Sequence, residues 1–254
     1  MIESVLYSGR GGHEEISEKR VCFCIPTITK PFDVTMQSLA ASCKLIEEAG
    51  WEYSAIFEVG NPYISAARNT MLRKALDWKS RVIVFIDHDL SWAPEDLLLL
   101  IESEPNCVAG TYRFKKYEEE YMGHVQIGED LRPVLKDNLV WMRDVPAGFL
   151  KITATGVNKF YSAYPELKYG DAFAPCIDLF NHGVIDGVWH GEDYAFCKRY
   201  REKCGNIWCM PNLEIDHHLA TGEVFKGNFD QYLARPKKRL DDSDNSDTDH
   251  QPRL

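Results

Sequence analysis

The chain has 254 residues, is 44% hydrophobic and 12% aromatic, and sets 29 Lys+Arg against 39 Asp+Glu for a formal net charge of −10. These proportions exclude disordered and fibrous classes and fit one globular domain with appendages. Its longest purely apolar runs, Val82 to Ile86 and Leu97 to Ile101, fall far short of the roughly 18 residues a transmembrane helix needs.

Glu3 stands where a secretory signal would be basic, and Gly9 to Lys19 is polar where it would be apolar, so secretion is not expected. Eight scattered cysteines include no CxxC pair, which points to reduced, cytosolic thiols rather than a zinc site or a disulfide frame. Residues 1–20 read as a loosely ordered leader, 21–234 as a single domain, and 235–254 as a disordered tail with too few apolar side chains to pack. The tail's five cations and five aspartates cancel, so the rest of the chain carries the whole −10 and has no net-charge attraction for a polyanion.

Val21 to Ile25 predicts a first strand stopped by Pro26. Met36, Leu39, Ala40, Cys43 and Ile46 follow helical spacing up to Gly50, a C′ glycine, and Trp51 to Val59 reads as a second strand. Ile64, Ala67, Met71, Leu72 and Ala75 repeat the helical stripe, and Arg81 to Ile86 is a buried strand running into Asp87-His88-Asp89. A helix starts near Pro94 with Glu95 and Asp96 in its first turn, and Asn106 to Thr111 gives a fourth strand. This alternation predicts an α/β fold with a mixed, mainly parallel sheet and helices on both faces. Beyond Tyr112 the pattern predicts hairpins over Met122 to Trp141 and a return to the sheet over Ala147 to Thr155. Further on come a helix from Gly156, an irregular cover over Tyr169 to His190, a helix over Glu192 to Lys203, and short strands over Ile207 to Ile215.

Three groups can carry chemistry. Asp87 and Asp89 lie at a strand's carboxyl end, where open α/β sheets gather ligands, and a two-residue period points both carboxylates one way and His88 the other. Such hard oxygen ligands suit Mg²⁺ or Mn²⁺ completed by substrate phosphates; the alternative is a pair of capping carboxylates. The tripeptide alone is a weak signal, since Asp242-Ser243-Asp244 and Asp247-Thr248-Asp249 repeat it in the tail. Glu192 and Asp193 open a helix, either as functional acids or as complements to its dipole. His217 and His218 follow an apolar strand, as ligands or as hydrogen-bonded structural residues.

Their order is what discriminates. Asn61-Pro62-Tyr63-Ile64-Ser65-Ala66-Ala67-Arg68-Asn69, Val84-Phe85-Ile86-Asp87-His88-Asp89, Val108-Ala109-Gly110-Thr111-Tyr112, Gly191-Glu192-Asp193-Tyr194-Ala195-Phe196-Cys197 and His217-His218 together resemble glycosyltransferases of the glycosyltransferase-A fold. The likeness is to small single-domain relatives of the family-2 group of the kind found in phage genomes, and it spans roughly residues 21 to 230.

The resemblance implies a donor-binding set of Pro26, Thr27, Glu58, Arg68, Asn69 and Asp87. It implies a divalent ion, Mn²⁺ or Mg²⁺, held by Asp89 and Asp87 with His217 or His218. Asp193 would be the general base of an inverting transfer, with Glu192 in support; a retaining enzyme could share this framework. Residues 21–111 would form the nucleotide-binding half and 112–234 the acceptor half of a cytoplasmic enzyme, in the host cytoplasm if phage-encoded.

For the acceptor, Tyr112-Arg113-Phe114-Lys115-Lys116-Tyr117 interleaves cations and aromatics. Arg113, Lys115 and Lys116 could hold nucleic acid, flap over the donor diphosphate, or belong to a solvated loop. Trp189 and His190 are candidate acceptor walls. The phage likeness adds a 5-hydroxymethylpyrimidine of DNA as a possible acceptor, beside a glycan or a small molecule. A nucleotidyltransferase would need a glycine-rich, basic triphosphate loop after Val21 to Ile25, and none is there. A non-catalytic nucleotide-sugar binding module has no use for the acid pair Glu192 and Asp193.

Overall fold

The computed structural model describes residues 19–235. Residues 1–18 of the expected leader and 236–254 of the expected tail, with its Asp-x-Asp copies, lie outside the described residues. The first half alternates β1 (Arg20–Thr27), α1 (Asp33–Glu48), β2 (Glu52–Val59), α2 (Ile64–Asp77), β3 (Val82–Ile86), β4 (Leu90–Trp92), α3 (Pro94–Glu102) and β5 (Cys107–Ala109). Then come β6 (His124–Val125), β7 (Leu135–Lys136), β8 (Leu139–Asp144), β9 (Phe149–Thr153), α4 (Ala154–Ala163), β10 (Lys168–Tyr169) and β11 (Cys176–Ile177). The chain continues through β12 (Gly183–Ile185), β13 (Val188–His190), α5 (Glu192–Lys203), β14 (Ile207–Cys209), β15 (Ile215–His218), β16 (Val224–Phe225) and α6 (Phe229–Ala234).

The central sheet runs β2-β1-β3-β9-β5-β14-β8-β6, with β7 also on β8. β1 is parallel to β2 and β3, and β14 is parallel to β5, while β9 is wedged antiparallel between β3 and β5. Strands β2, β1, β3, β5 and β14 therefore share one direction, as the alternating pattern predicts, and their carboxyl ends share one edge.

The two-residue period of each strand divides the core in two. Cys22, Cys24, Ile83 and Phe85 join α2, α4 and α5 through Met71, Phe160 and Phe196. Val21, Phe23, Val82 and Val84 join α1 and α3 through Leu39, Ile46 and Leu100 on the opposite face. Local signals set several boundaries. Gly50 follows α1 at φ 81°, Pro94 opens α3, and the Thr153 hydroxyl caps α4 by accepting from Gly156 N–H at 3.1 Å. Asp137 and Asn138 both take positive φ in the two-residue turn between β7 and β8. Lys151, fully buried on β9, donates to the carbonyl of Pro105 at 2.7 Å and to that of Ser103 at the carboxyl end of α3. Burial lowers its pKa to about 8.

Four features differ from the sequence expectation. β1 does not stop at Pro26 but continues to Thr27, because β2 pairs with it throughout while the register with β3 ends at Cys24, leaving one flank of the proline without a ladder. Asp87-His88-Asp89 is a turn rather than a strand end, because the pairing of β3 with β9 finishes at Ile86 and Phe149. Beyond it, β4 joins β15 and β16 in a separate three-stranded sheet, with His217 opposite Leu90 and Asp216 opposite Ser91. The irregular cover over Tyr169 to His190 contains two small hairpins, β10–β11 and β12–β13. Among the described residues no helix is long and apolar enough to cross a membrane.

Candidate functional site

At the carboxyl edge of the sheet a cavity of about 300 Å³ is lined by Pro26, Ile64, Arg68, Asp87, His88, Asp89, Tyr112, Met122, Pro146, Ala147, Glu192, Asp193 and His217. The three motifs, separated by up to 130 residues, meet here. His88, between the two aspartates in the turn, also lines the cavity, and its ring stands edge-on to Phe32 at 5.6 Å.

Arg68 organises one wall. Its buried guanidinium donates to Asp87 Oδ1 at 2.8 Å and to Glu192 Oε1, and it lies 5.6 Å from the Phe180 ring. Burial alone would weaken its charge, but Asp87, Glu192 and Asp193 outweigh this and raise its pKa. The Tyr112 hydroxyl donates to the other Asp87 oxygen at 3.0 Å, and Asp87 N–H donates to the Gly148 carbonyl at 2.8 Å. Gly148 has to be glycine, since a Cβ there would overlap both the Tyr112 hydroxyl and the Asp87 carboxylate.

Asp193 is in a different electrostatic position. Its Oδ1 accepts from Tyr194 N–H at 2.8 Å, and among the described residues it forms no ion pair, whereas Glu192 beside it is neutralised by Arg68. Burial first, and then Glu192, push its carboxyl up to about 6 against the pull of Arg68. The helix N-terminus therefore does not hold it at an ordinary carboxylate value. It is still mostly ionised at neutral pH and more basic than a solvated aspartate.

Asp89 faces the other wall. Its Oδ2 accepts from the Lys115 ammonium and lies 3.6 Å from His217 Nε2. Burial opposes its charge, but these two partners outweigh burial and hold the carboxyl well below the usual range. His217 Nδ1 donates to the Arg113 carbonyl at 2.8 Å, which turns Nε2 toward Asp89. His218 is turned the other way on β15, with Nε2 2.7 Å from Ser91 Oγ. Of the two histidines, His217 is thus the one at the cavity.

Among the described residues no group of three or more His, Cys, Asp or Glu could hold a metal unaided. Asp89 Oδ2 and His217 Nε2 nevertheless converge on one point, and with the Lys115 ammonium moved off the carboxylate they would suit a small divalent ion that completes its shell with phosphate oxygens and water.

Other expected residues take neighbouring roles. Asn69 is buried beneath the site, where its amide holds Asp178 at 2.5 Å and accepts from Phe180 N–H at 3.2 Å, fixing the ring that covers Arg68. Glu58 pairs with Lys74 at 3.1 Å on the outer strand, and Thr27 is buried with its hydroxyl unpartnered. Trp189 is 67% exposed on the β12–β13 hairpin, its ring 5.9 Å from that of His182, and His190 ends that hairpin just before α5. Arg113 is spent on its own loop, donating to the Tyr117 carbonyl at 2.8 Å, and Lys116 pairs with Glu120. Tyr112, Met122, Pro146 and Ala147 were not expected in the site. Only Tyr112 had a sequence signal, as the polar aromatic at the end of the β5 segment.

No protein family model matches the chain, and no curated protein sequence does. Among solved structures, a Drosophila β-1,4-galactosyltransferase 7 variant complexed with manganese, UDP-galactose and xylobiose is similar at 12% identity and a TM-score of 0.40, over 89% of this chain and 77% of that one. A glycosyltransferase involved in glycosylating the major capsid of PBCV-1 is similar at 14% identity and a TM-score of 0.25, over 56% of this chain and 67% of that one. At such scores neither likeness carries weight for function, which has to rest on the cavity itself.

Proposed function

We infer that the chain is a glycosyltransferase of the glycosyltransferase-A type, moving a sugar from a nucleoside-diphosphate donor to an acceptor hydroxyl with inversion. One observation carries this reading. A single cavity holds both the carboxylate of Asp193, without an ion pair and with its raised pKa, and the pair Asp89 and His217, which suits a cation and a diphosphate.

In this reading residues 21–111 hold the nucleotide, with the base near Pro26 and Thr27, and 112–234 receive the acceptor. Asp89 and His217 would hold Mn²⁺ or Mg²⁺, which when bound supplies positive charge to the leaving diphosphate. Arg68, locked between Asp87 and Glu192, keeps the wall beneath the sugar rigid. The acceptor hydroxyl oxygen attacks the anomeric carbon, the bond from that carbon to the phosphate oxygen breaks, and the electron pair leaves with the diphosphate. Asp193 accepts the hydroxyl proton, and its pKa near 6 suits that task at neutral pH.

The acceptor is best read as a neutral, hydroxyl-rich compound rather than a modified base in DNA. Arg113 and Lys116 are engaged by the Tyr117 carbonyl and by Glu120, and Lys115 is directed to Asp89 rather than to an acceptor surface.

A thermal-shift panel of nucleoside diphosphates with and without Mn²⁺ tests the reading. A ligand at about 100 times its Kd stabilises by about 2.7 kcal/mol, so at least one diphosphate should raise Tm clearly, and more so with Mn²⁺. No shift with any of them contradicts the assignment.

A further inference from the structure

Lys115 shares the Asp89 carboxylate with His217, and it stands on a loop whose backbone is fastened on both sides of it. Its ammonium donates to Asp89 Oδ2, the same oxygen that lies 3.6 Å from His217 Nε2. The loop is fastened at several points. The Arg113 carbonyl accepts from His217 Nδ1 at 2.8 Å, Phe114 N–H donates to the Glu120 carbonyl at 2.9 Å, and the Arg113 guanidinium donates to the Tyr117 carbonyl at 2.8 Å. The Lys115 side chain is 28% exposed against 11% for Asp89, so its flexible four-carbon stem has solvent beside it and can leave the carboxylate without opening the loop. A divalent cation on Asp89 and His217 and an ammonium on the same carboxylate oxygen repel each other strongly at this degree of burial.

We propose that Lys115 is an exchangeable counter-ion that rests on Asp89 and transfers to the diphosphate of an incoming nucleotide, so that Asp89 becomes available to a divalent cation only with the donor. The proposal rests on reading the cavity as a nucleoside-diphosphate site. Its thermodynamic content is a reciprocal coupling: nucleotide strengthens cation binding, and cation strengthens nucleotide binding by the same factor. Lys115 is thereby a positioning residue that sets the order of assembly and keeps stray divalent ions off the carboxylate.

The test uses the full chain as wild type, Lys115→Met and Lys115→Arg. Mn²⁺ binding alone is read from the electron paramagnetic resonance signal of the free ion. Binding of UDP, GDP, ADP and CDP in EDTA is read by calorimetry. Lys115→Met should bind Mn²⁺ alone about 10-fold more tightly and its preferred diphosphate in EDTA about 10-fold more weakly, within the usual span of coupling between sites. Lys115→Arg, which keeps a cation on a long stem, should stay near wild type in both. A merely structural lysine would weaken both or leave both unchanged. Unchanged or weaker Mn²⁺ binding by Lys115→Met overturns the proposal, as does unchanged diphosphate binding. Failure of all three proteins to bind either Mn²⁺ or any diphosphate overturns the reading of the cavity as well.

Discussion

Asp193→Asn should lower kcat by about 10² to 10⁴ while donor affinity stays near wild type, the signature of a group needed only as the proton leaves the acceptor. Glu192→Gln should cost less turnover, because that carboxylate is already tied to Arg68. Wild-type activity should rise with pH through about 6, as Asp193 loses its proton, and level off above it, and this rise should vanish in Asp193→Asn. Stability should move the opposite way. A carboxyl whose folded pKa is raised from 3.8 to about 6 binds its proton more tightly in the folded chain, so stability falls as pH rises across that interval and stays lowered above it. Asparagine removes the buried charge, so the variant should be more stable than wild type at pH 7 by roughly 1 to 3 kcal/mol. The gap should close as pH approaches 4. Near-normal turnover in Asp193→Asn, or a lower Tm at pH 7, would contradict the role assigned to this residue.

The second large effect is expected at Arg68. Its guanidinium is held by Asp87 and Glu192 and is buried, so Arg68→Met leaves two partly buried carboxylates facing each other. Removing one partner of a buried pair typically costs about 3 to 5 kcal/mol. Denaturant unfolding of Arg68→Met should show a loss of that order, and adding Glu192→Gln should restore part of it by deleting one orphaned charge. A loss below about 1 kcal/mol would show that the pair is not the keystone of this wall.

How much was legible in the sequence followed from how local each determinant is. Gly50 and Pro94 bounded α1 and α3 by backbone chemistry that needs no tertiary partner, and strand-helix alternation was enough to imply the mainly parallel sheet. The antiparallel insertion of β9 was not legible, because Phe149 to Thr153 looks the same as a strand running either way. β4 was missed for a related reason: three residues carry no usable period, and Leu90 to Trp92 are extended only because β15 pairs with them. That pairing also separates the histidines. Strand alternation puts His217 and His218 on opposite sides, but only the register with Leu90 and Ser91 decides which one meets Asp89. Asp87, Asp89, Glu192 and Asp193 were legible as carboxylates able to carry chemistry, and the fold brings all four to one cavity. The division of labour among them was not legible, since it depends on the reach of Arg68 from α2 and of Lys115 from its loop.

The central claim is tested most directly by incubating the protein with Mn²⁺ and UDP-, GDP-, CDP-, ADP- and TDP-sugars and measuring released nucleoside diphosphate, with Asp89→Asn as the control. The account predicts diphosphate release from at least one donor, greatly reduced in Asp89→Asn and stimulated by a hydroxylated acceptor. Pyrophosphate release from a nucleoside triphosphate, with every nucleotide sugar left intact, would contradict it.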